Sequence, residues 1–207
     1  MTIAIVDYGM GNLRSVEKAL EKVGGQPLVT RDPEAVRSAQ AVVLPGVGAF
    51  GACMENLRKY GLDKVVLDVI ERGTPFFGIC LGMQLLFEES EEFGPVHGLG
   101  VLPGRVVRFP ASAERPVPHM GWNQIRVCAE VPHLRNVADG SFVYFVHSYY
   151  VVPANGEVVA TTTEYGVEFA SAVHWKNIFA TQYHPEKSQR VGLALLRNFV
   201  EAVVRGS

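Results

Sequence analysis

Three stretches of this chain, TIAIV (2–6), AVVLP (41–45) and PFFGI (75–79), are apolar almost continuously rather than at alternate positions. A strand with one face in water alternates. One that is apolar throughout needs cover on both faces, the condition of a parallel sheet held between helices. The intervening sequence supplies those helices. Leu13, Val16, Leu20 and Val23 recur at helical spacing up to Gly24-Gly25. DPEAVRSA (32–39) is a short capped helix with proline near its start, and LDKVVLDVIERG (62–73) is a helix closed by glycine. QPLVT (26–30) adds a short strand, and LGMQLLFEE (81–89) predicts a helix leaving PFFGI. The fold class is therefore α/β, with an open, mainly parallel sheet flanked by helices.

Beyond residue 100 the pattern changes. RVVRF, WNQIRV, SFVYFVHSYYVV, EVVATTTEYG, EFASAVHW and NIFATQYHP follow one another, with a turn at Trp175-Lys176-Asn177 and no room for helices between them. Antiparallel hairpins added to the sheet are expected here. The chain closes on SQRVGLALLRNFVEAVV, an amphipathic helix with Ser188 as its expected N-cap. No repeat, low-complexity tract or linker interrupts residues 1–207, so a single domain is expected.

Composition removes several classes of function. A net charge of −2 argues against nucleic acid or an anionic membrane as the main partner, since both demand clustered Lys and Arg. No apolar run reaches the roughly 18 residues of a membrane span, and MTIAIVDYG starts as a strand, so a cytoplasmic protein is expected. The three cysteines, Cys53, Cys80 and Cys128, form no C-x-x-C pair, and no Cys or His cluster has zinc-ligand spacing. No metal or organic cofactor is expected. A cysteine with chemistry would act alone, as a nucleophile.

Cys80 has the context for that role. In Gly78-Ile79-Cys80-Leu81-Gly82 it stands where a strand meets a helix, with glycines two residues to either side. This is the G-x-nucleophile-x-G elbow with sulfur in place of a hydroxyl. The glycines allow neighbouring backbone to approach a strained turn, and the following helix is expected to favour thiolate through its dipole. Leu81 N–H would face an oxyanion formed on a substrate carbonyl. Cys53 and Cys128 lack such surroundings and are read as structural.

A thiol nucleophile needs a base and a group to orient it. Among six histidines, His184 ends the NIFATQY run and is followed by Pro185 and Glu186. On extended chain, residues two apart project to one side, so Glu186 can hold the His184 ring. His97, His133 and His174 suit loops and turns, and His147 in YFVHSYY stays open. Pro45-Gly46-Val47-Gly48 ends a buried strand and is either an ordinary turn or a second source of oxyanion donors. DYGMGNLR (7–14) begins like a dinucleotide loop but carries Arg14 where the third glycine belongs. The acidic run EESEE (88–92) fits a solvated face, from which one carboxylate could meet a substrate ammonium.

Taken together, GICLG with a distant H-P-E resembles the triad (class I) glutamine amidotransferases. The longer stretches DYGMGNL, PGVGAF, GICLGMQLLFEESEE, PHMGWN and YFVHSYY resemble the glutaminase subunits of imidazole glycerol phosphate synthases, from histidine biosynthesis. Sister glutaminases read P-G-P-G or P-G-G-E where this chain has P-G-V-G. The resemblance implies a Cys80–His184–Glu186 triad acting on L-glutamine. It implies oxyanion donors from Leu81 and the Val47–Gly48 loop, and substrate contacts from Gln84, Glu92, His147, Ser148 and Tyr149. It also implies a (β/α)8-barrel cyclase partner that takes up the ammonia, with Asn12, Trp122, Asn123, Tyr144 and Lys187 at the interface. The other readings are a stand-alone cysteine hydrolase, such as a peptidase or esterase, and a non-catalytic subunit on the same fold.

Overall fold

The computed structural model describes residues 2–110, 112 and 115–205. Its first part runs β1 (Thr2–Val6), α1 (Leu13–Lys22), β2 (Gln26–Thr30), α2 (Pro33–Ser38), β3 (Ala41–Gly46), α3 (Phe50–Lys59), α4 (Leu62–Glu71), β4 (Phe76–Cys80) and α5 (Leu81–Gln84). The second part runs β5 (Phe87–Ser90), β6 (Val96–His97), β7 (Leu102–Arg108), β8 (His119–Gln124), β9 (Arg126–Val127), β10 (Phe142–His147), β11 (Tyr149–Pro153), β12 (Val159–Glu164), β13 (Glu168–Trp175), β14 (Ile178–Thr181) and α6 (Gln189–Arg205).

An eight-stranded sheet in the order β2-β1-β3-β4-β14-β13-β12-β9 forms the centre. Pairing is parallel from β2 through β14 and antiparallel from there to β9. The expected double burial is visible residue by residue. Ile3, Ile5 and Phe77 enter one apolar cluster with Leu20 of α1 and Phe199 of α6, while Ala4, Val6 and Phe76 enter the opposite one with Val36, Leu57 and Val66 of α2, α3 and α4. Phe77 meets both Phe179 and Phe199 edge-on, with ring centroids 5.3 Å apart in each case. Asp32 caps α2 by accepting from Glu34 N–H at 3.0 Å, with Pro33 in the first turn where its missing N–H costs nothing.

Several expectations need correction. The segment 81–89 is not one helix: α5 is a single turn, and the chain re-extends into β5. Leu99, Val101 and Leu102 N–H groups draw the carbonyls of Leu85 and Leu86 into a ladder, which is incompatible with a continuing helix. Only β13, β12 and β9 extend the central sheet on its antiparallel side. β10 pairs with β8 alone, and β11-β7-β5-β6 makes a third sheet. The run 141–152 therefore breaks at Ser148 between two sheets. Helix α3 was not anticipated, although Phe50, Cys53, Met54 and Leu57 hold its buried stripe at helical spacing. Ser188 does not spend its hydroxyl on capping α6: it donates to His184 O at 2.6 Å and accepts from Tyr144 N–H at 3.0 Å. Among the described residues, no helix is long and apolar enough to cross a membrane.

Buried histidines take part in the core. His133 stacks on Phe179 with centroids 4.5 Å apart, and His119 lies between Phe145 and Tyr165 at 4.7 and 4.0 Å. Burial disfavours the imidazolium, lowering His119 and His133 to about 4 and His147 to about 3. The unfolded chain then binds more protons than the folded one below pH 6.5, so stability falls as pH drops from 6.5 toward 4. At about 1.4 kcal/mol per pKa unit, these three groups together should remove several kcal/mol over that range. Urea unfolding at pH 7 and pH 5 checks this, and equal stability at both would contradict it.

The end of the fold rests on one close approach. A Cβ on Gly192 of α6 would stand 1.8 Å from the Pro185 carbonyl oxygen, so α6 lies directly on the 185–187 turn. Gly192→Ala should cost about 3 kcal/mol or more. Gly156→Ala, with no heavy atom within 4 Å of the added carbon, should leave the unfolding midpoint nearly unchanged.

Candidate active site

The elbow at Cys80 has the strained backbone that its glycines imply. Cys80 adopts φ 54° and ψ −110°, an unfavourable region for a residue with a side chain. The turn is tight enough to need both flanking glycines. A Cβ on Gly82 would sit 1.8 Å from Leu44 O, and one on Gly78 would sit 2.9 Å from Gly82 O. The helix expected to present its dipole to the thiol is only the single turn of α5. Gln182 Nε2 donates toward Cys80 Sγ at 3.6 Å from just beyond β14, the strand beside β4.

His184 lies two residues beyond Gln182 on the same stretch. Its backbone N–H donates to Tyr144 O at 3.0 Å and its carbonyl accepts from Ser188, so β10 and the start of α6 fix the main chain. Its Nδ1 lies 2.7 Å from Glu186 Oε1, with the two side chains 3% and 2% exposed. That leaves Nε2 as the second ring nitrogen, buried and without a hydrogen-bond partner. Burial presses the ring toward neutrality. The negative charge available at Cys80 and the Glu186 carboxylate outweigh it and lift the pKa to about 10. A buried imidazolium held by Glu186 beside the Cys80 sulfur can supply a proton to a leaving group and then take one from water.

The cleft holding this pair has a volume of about 310 Å³, and Val47, Gly48, Leu81, Gln84, Glu92, His147, Ser148 and Tyr149 line it with Cys80 and His184. Every substrate and oxyanion residue named from the sequence is thus brought to one cavity. The roles are narrower than expected for some. Gln84 Nε2 donates to Tyr149 O and Gln182 Oε1, each at 3.0 Å, leaving its own carbonyl oxygen for a ligand. Glu92 Oε2 accepts from Phe50 N–H at 2.7 Å, taking the place of a side-chain cap on α3. Pro118 and Val146 complete the lining.

The His147 ring is occupied by the protein. Its Nδ1 lies 2.8 Å from Tyr149 O, which can only accept, so Nδ1 carries the hydrogen. Nε2 must then accept from His119 Nδ1 at 2.9 Å, and His119 Nε2 accepts from Asn123 Nδ2 at 3.2 Å. Asn123 Nδ2 also donates to Glu164 O at 2.9 Å. Asn123, expected at an interface, is half-buried, and its amide nitrogen is shared between the His119 ring and Glu164 O. The remaining interface candidates are more open. Trp122 is 46% exposed and meets Tyr144 edge-on at 6.0 Å, and Lys187 Nζ lies 5.8 Å over the Tyr144 ring. Met120 and Phe142, 63% and 53% exposed, extend this apolar patch, while Asn12 is exposed just before α1.

The sequence reading missed Gln182 and His119. The first was legible, since Gln182 and His184 share a side of extended chain. The second was not, because nothing local to PHMGWN indicates that the His119 ring reaches His147 on another strand. Among the described residues, no group of three or more His, Cys, Asp or Glu could hold a metal ion.

Comparison with known proteins gives the same picture. The family model for glutamine amidotransferase class-I matches residues 4–203. The imidazole glycerol phosphate synthase subunit HisH of Geobacter sulfurreducens is 55% identical over 204 residues, 96% of this chain and 98% of that one. The HisH proteins of Methanothermobacter thermautotrophicus and Aquifex aeolicus are 52% and 51% identical, covering 97% and 96% of this chain and 98% and 96% of their own length. Among solved structures, a glutamine amidotransferase of Thermotoga maritima superposes with TM-score 0.68 at 19% identity, over 98% of this chain and 97% of that one. The glutaminase domain of Trypanosoma brucei CTPS with bound acivicin does so with TM-score 0.71 at 16% identity, over 99% and 94%; both likenesses bear on fold alone. The strained thiol, the buried His–Glu pair beside it and relatives matched along almost their whole length lead to one assignment: the chain belongs to the class-I glutamine amidotransferases, in the family of imidazole glycerol phosphate synthase subunit HisH.

Proposed function

We propose that this chain, as a single domain, hydrolyses L-glutamine to glutamate and ammonia and passes the ammonia to a cyclase partner in histidine biosynthesis. The observation that carries the reading is the buried His184–Glu186 contact of 2.7 Å in the same cleft as the strained Cys80. The Cys80 sulfur attacks the side-chain amide carbon of glutamine, and the carbonyl oxygen gathers negative charge. Leu81 N–H and an N–H of the Val47–Gly48 loop receive that charge; losing one such donor typically costs ~10²–10³ in rate. His184 gives its proton to the departing nitrogen, which leaves as ammonia, while the acyl group stays on sulfur as a thioester. Water, relieved of a proton by His184, then attacks the thioester and releases glutamate and thiol. Glu186 holds the ring in position throughout.

For the substrate's free ends, the Glu92 carboxylate and the Gln84 carbonyl suit the ammonium group. The backbone of His147, Ser148 and Tyr149 lies along the rest of the ligand. The partner is a (β/α)8-barrel cyclase seated on the exposed patch of Trp122, Tyr144, Lys187 and Asn12. Tyr144 and Lys187 adjoin the His184-Pro185-Glu186 turn, which favours an ammonia exit on that side. Neither nucleic acid nor membrane has a role, no cofactor takes part, and the setting is cytoplasmic. The stand-alone cysteine hydrolase is not favoured, since relatives more than 50% identical over nearly full length are synthase subunits.

Glutamate release from glutamine, followed with and without the cyclase and its ligand, tests the reading. A strong rise on adding the partner is expected; full activity alone would favour the stand-alone hydrolase instead. Cys80→Ala should reduce hydrolysis to background while the complex still assembles on gel filtration. Glu186→Gln should lower kcat roughly a hundredfold or more, in the range attributed to general acid–base catalysis. A glutamine-like diazoketone should label Cys80 alone, and labelling of Cys53 or Cys128 in its place would refute the triad.

A further inference from the structure

A chain of buried side-chain amides ends on the nucleophilic sulfur. Gln182 is fully buried, and its backbone N–H donates to Ser171 O at 2.8 Å, which ties the residue to β13. Its side chain bridges two groups: Oε1 accepts from Gln84 Nε2 at 3.0 Å, and Nε2 donates to Cys80 Sγ at 3.6 Å. The direction of this chain is set at its far end. Tyr149 O has no hydrogen to give, and it accepts from Gln84 Nε2 at 3.0 Å as well as from the His147 ring at 2.8 Å. Gln84 must therefore turn its nitrogen toward Tyr149 and Gln182, and an amide nitrogen only donates. Were the Gln182 amide reversed, two NH2 groups would face each other and an oxygen would face the sulfur. Its Nε2 is thus held toward Cys80 by a partner that is itself held.

The chemistry above gives this contact no part. When the thioester is hydrolysed, water passes one proton to His184 and its oxygen bonds to the acyl carbon. The C–S bond breaks, and its electron pair goes to sulfur. The second hydrogen of the water stays in the new carboxyl group, which ionises as glutamate leaves. His184 begins that step neutral, since it must accept the proton. The Gln182 amide neither gains nor loses a proton at neutral pH, so it stays a donor throughout. A hydrogen bond to an ionised atom is roughly twice as strong as one to a neutral atom. We propose that Gln182 is a catalytic residue, whose amide hydrogen receives the negative charge that builds on the Cys80 sulfur as the glutamyl thioester breaks. The inference rests on the glutaminase reading above and deepens it. In the first half of the reaction the sulfur starts with its charge and gives it up, so the same hydrogen bond does not favour attack. Its loss should slow the second half more than the first.

The test uses Gln182→Met and Gln182→Leu, which keep most of the side chain's bulk and remove its donor. In the complex with the cyclase, each should lower the glutaminase kcat roughly tenfold or more, the scale of a hydrogen bond to a charged group. KM for glutamine should fall with it, so that kcat/KM, which reports the steps through acylation, changes less than about threefold. Enzyme quenched in acid during turnover and read by mass spectrometry should carry more glutamyl thioester than the unaltered complex does. Unchanged kcat in both variants would overturn the proposal. A fall in kcat/KM of about tenfold without added thioester would also overturn it, because displacement of Gln84 alone would give that result. Failure of both variants to assemble with the cyclase on gel filtration would assign Gln182 to the fold and overturn it as well. If the unaltered complex releases no glutamate from glutamine, the glutaminase reading fails and takes this inference with it. Activity in the unaltered complex with indifferent variants removes the inference alone.

Discussion

The parallel pairing of β3, β4 and β14 is the constraint on which the site depends. Its registers set Gly46 beside Cys80 and Thr181 beside Ile79, so three strands end at one edge of the sheet. There, one strand gives way to the glycine loop, the next to the strained turn at Cys80 and the third to the stretch holding Gln182 and His184. Residues more than a hundred positions apart meet because parallel strands deliver their ends together, as open α/β sheets generally do. The continuous apolar character of these strands is therefore also what places the chemistry.

What the strands bring together, the second half of the chain secures. His184 is held from two sides, by β10 and by the start of α6. Tyr144 O holds its N–H and Ser188 holds its carbonyl, while α6 leans on Pro185 through Gly192. The ring is held by Glu186 and drawn by the charge at Cys80, two attractions that together exceed the penalty of burial. A histidine in this setting stays charged through neutral pH. The other buried rings, without an anionic neighbour of that kind, stay neutral.

Much of this was legible because local sequence carries its own geometric meaning. Continuous apolar runs announced the sheet, the glycines at 78 and 82 announced a close backbone turn, and H-P-E announced a same-side pair. The misreadings arose where tertiary pairing overrode local periodicity. Leu85, Leu86 and Phe87 continue a helical pattern, yet their backbone is claimed by strands from residues 96–106. Ser148 carries no local sign of a break, and only the existence of two separate sheets creates one. Helix α3 was legible from its apolar spacing and hidden by the glycines at its start. The contact of His119 with His147 joins two paired strands through side chains, and no local motif encodes it.

The hydrogen-bond relay from Asn123 through His119 to His147 has a consequence for the order of the cleft. Each ring in it has one nitrogen giving and one receiving, and both ends are anchored by groups that cannot reverse role: an amide nitrogen at one end, a peptide oxygen at the other. The sequence of donors is thus directional, and neither ring has a free lone pair. Two imidazoles border the cavity, but His147 is closed to proton traffic. Of these two rings, His184 alone keeps a nitrogen without a hydrogen-bond partner, so the surrounding bonds leave one imidazole position at the cavity able to exchange a hydrogen.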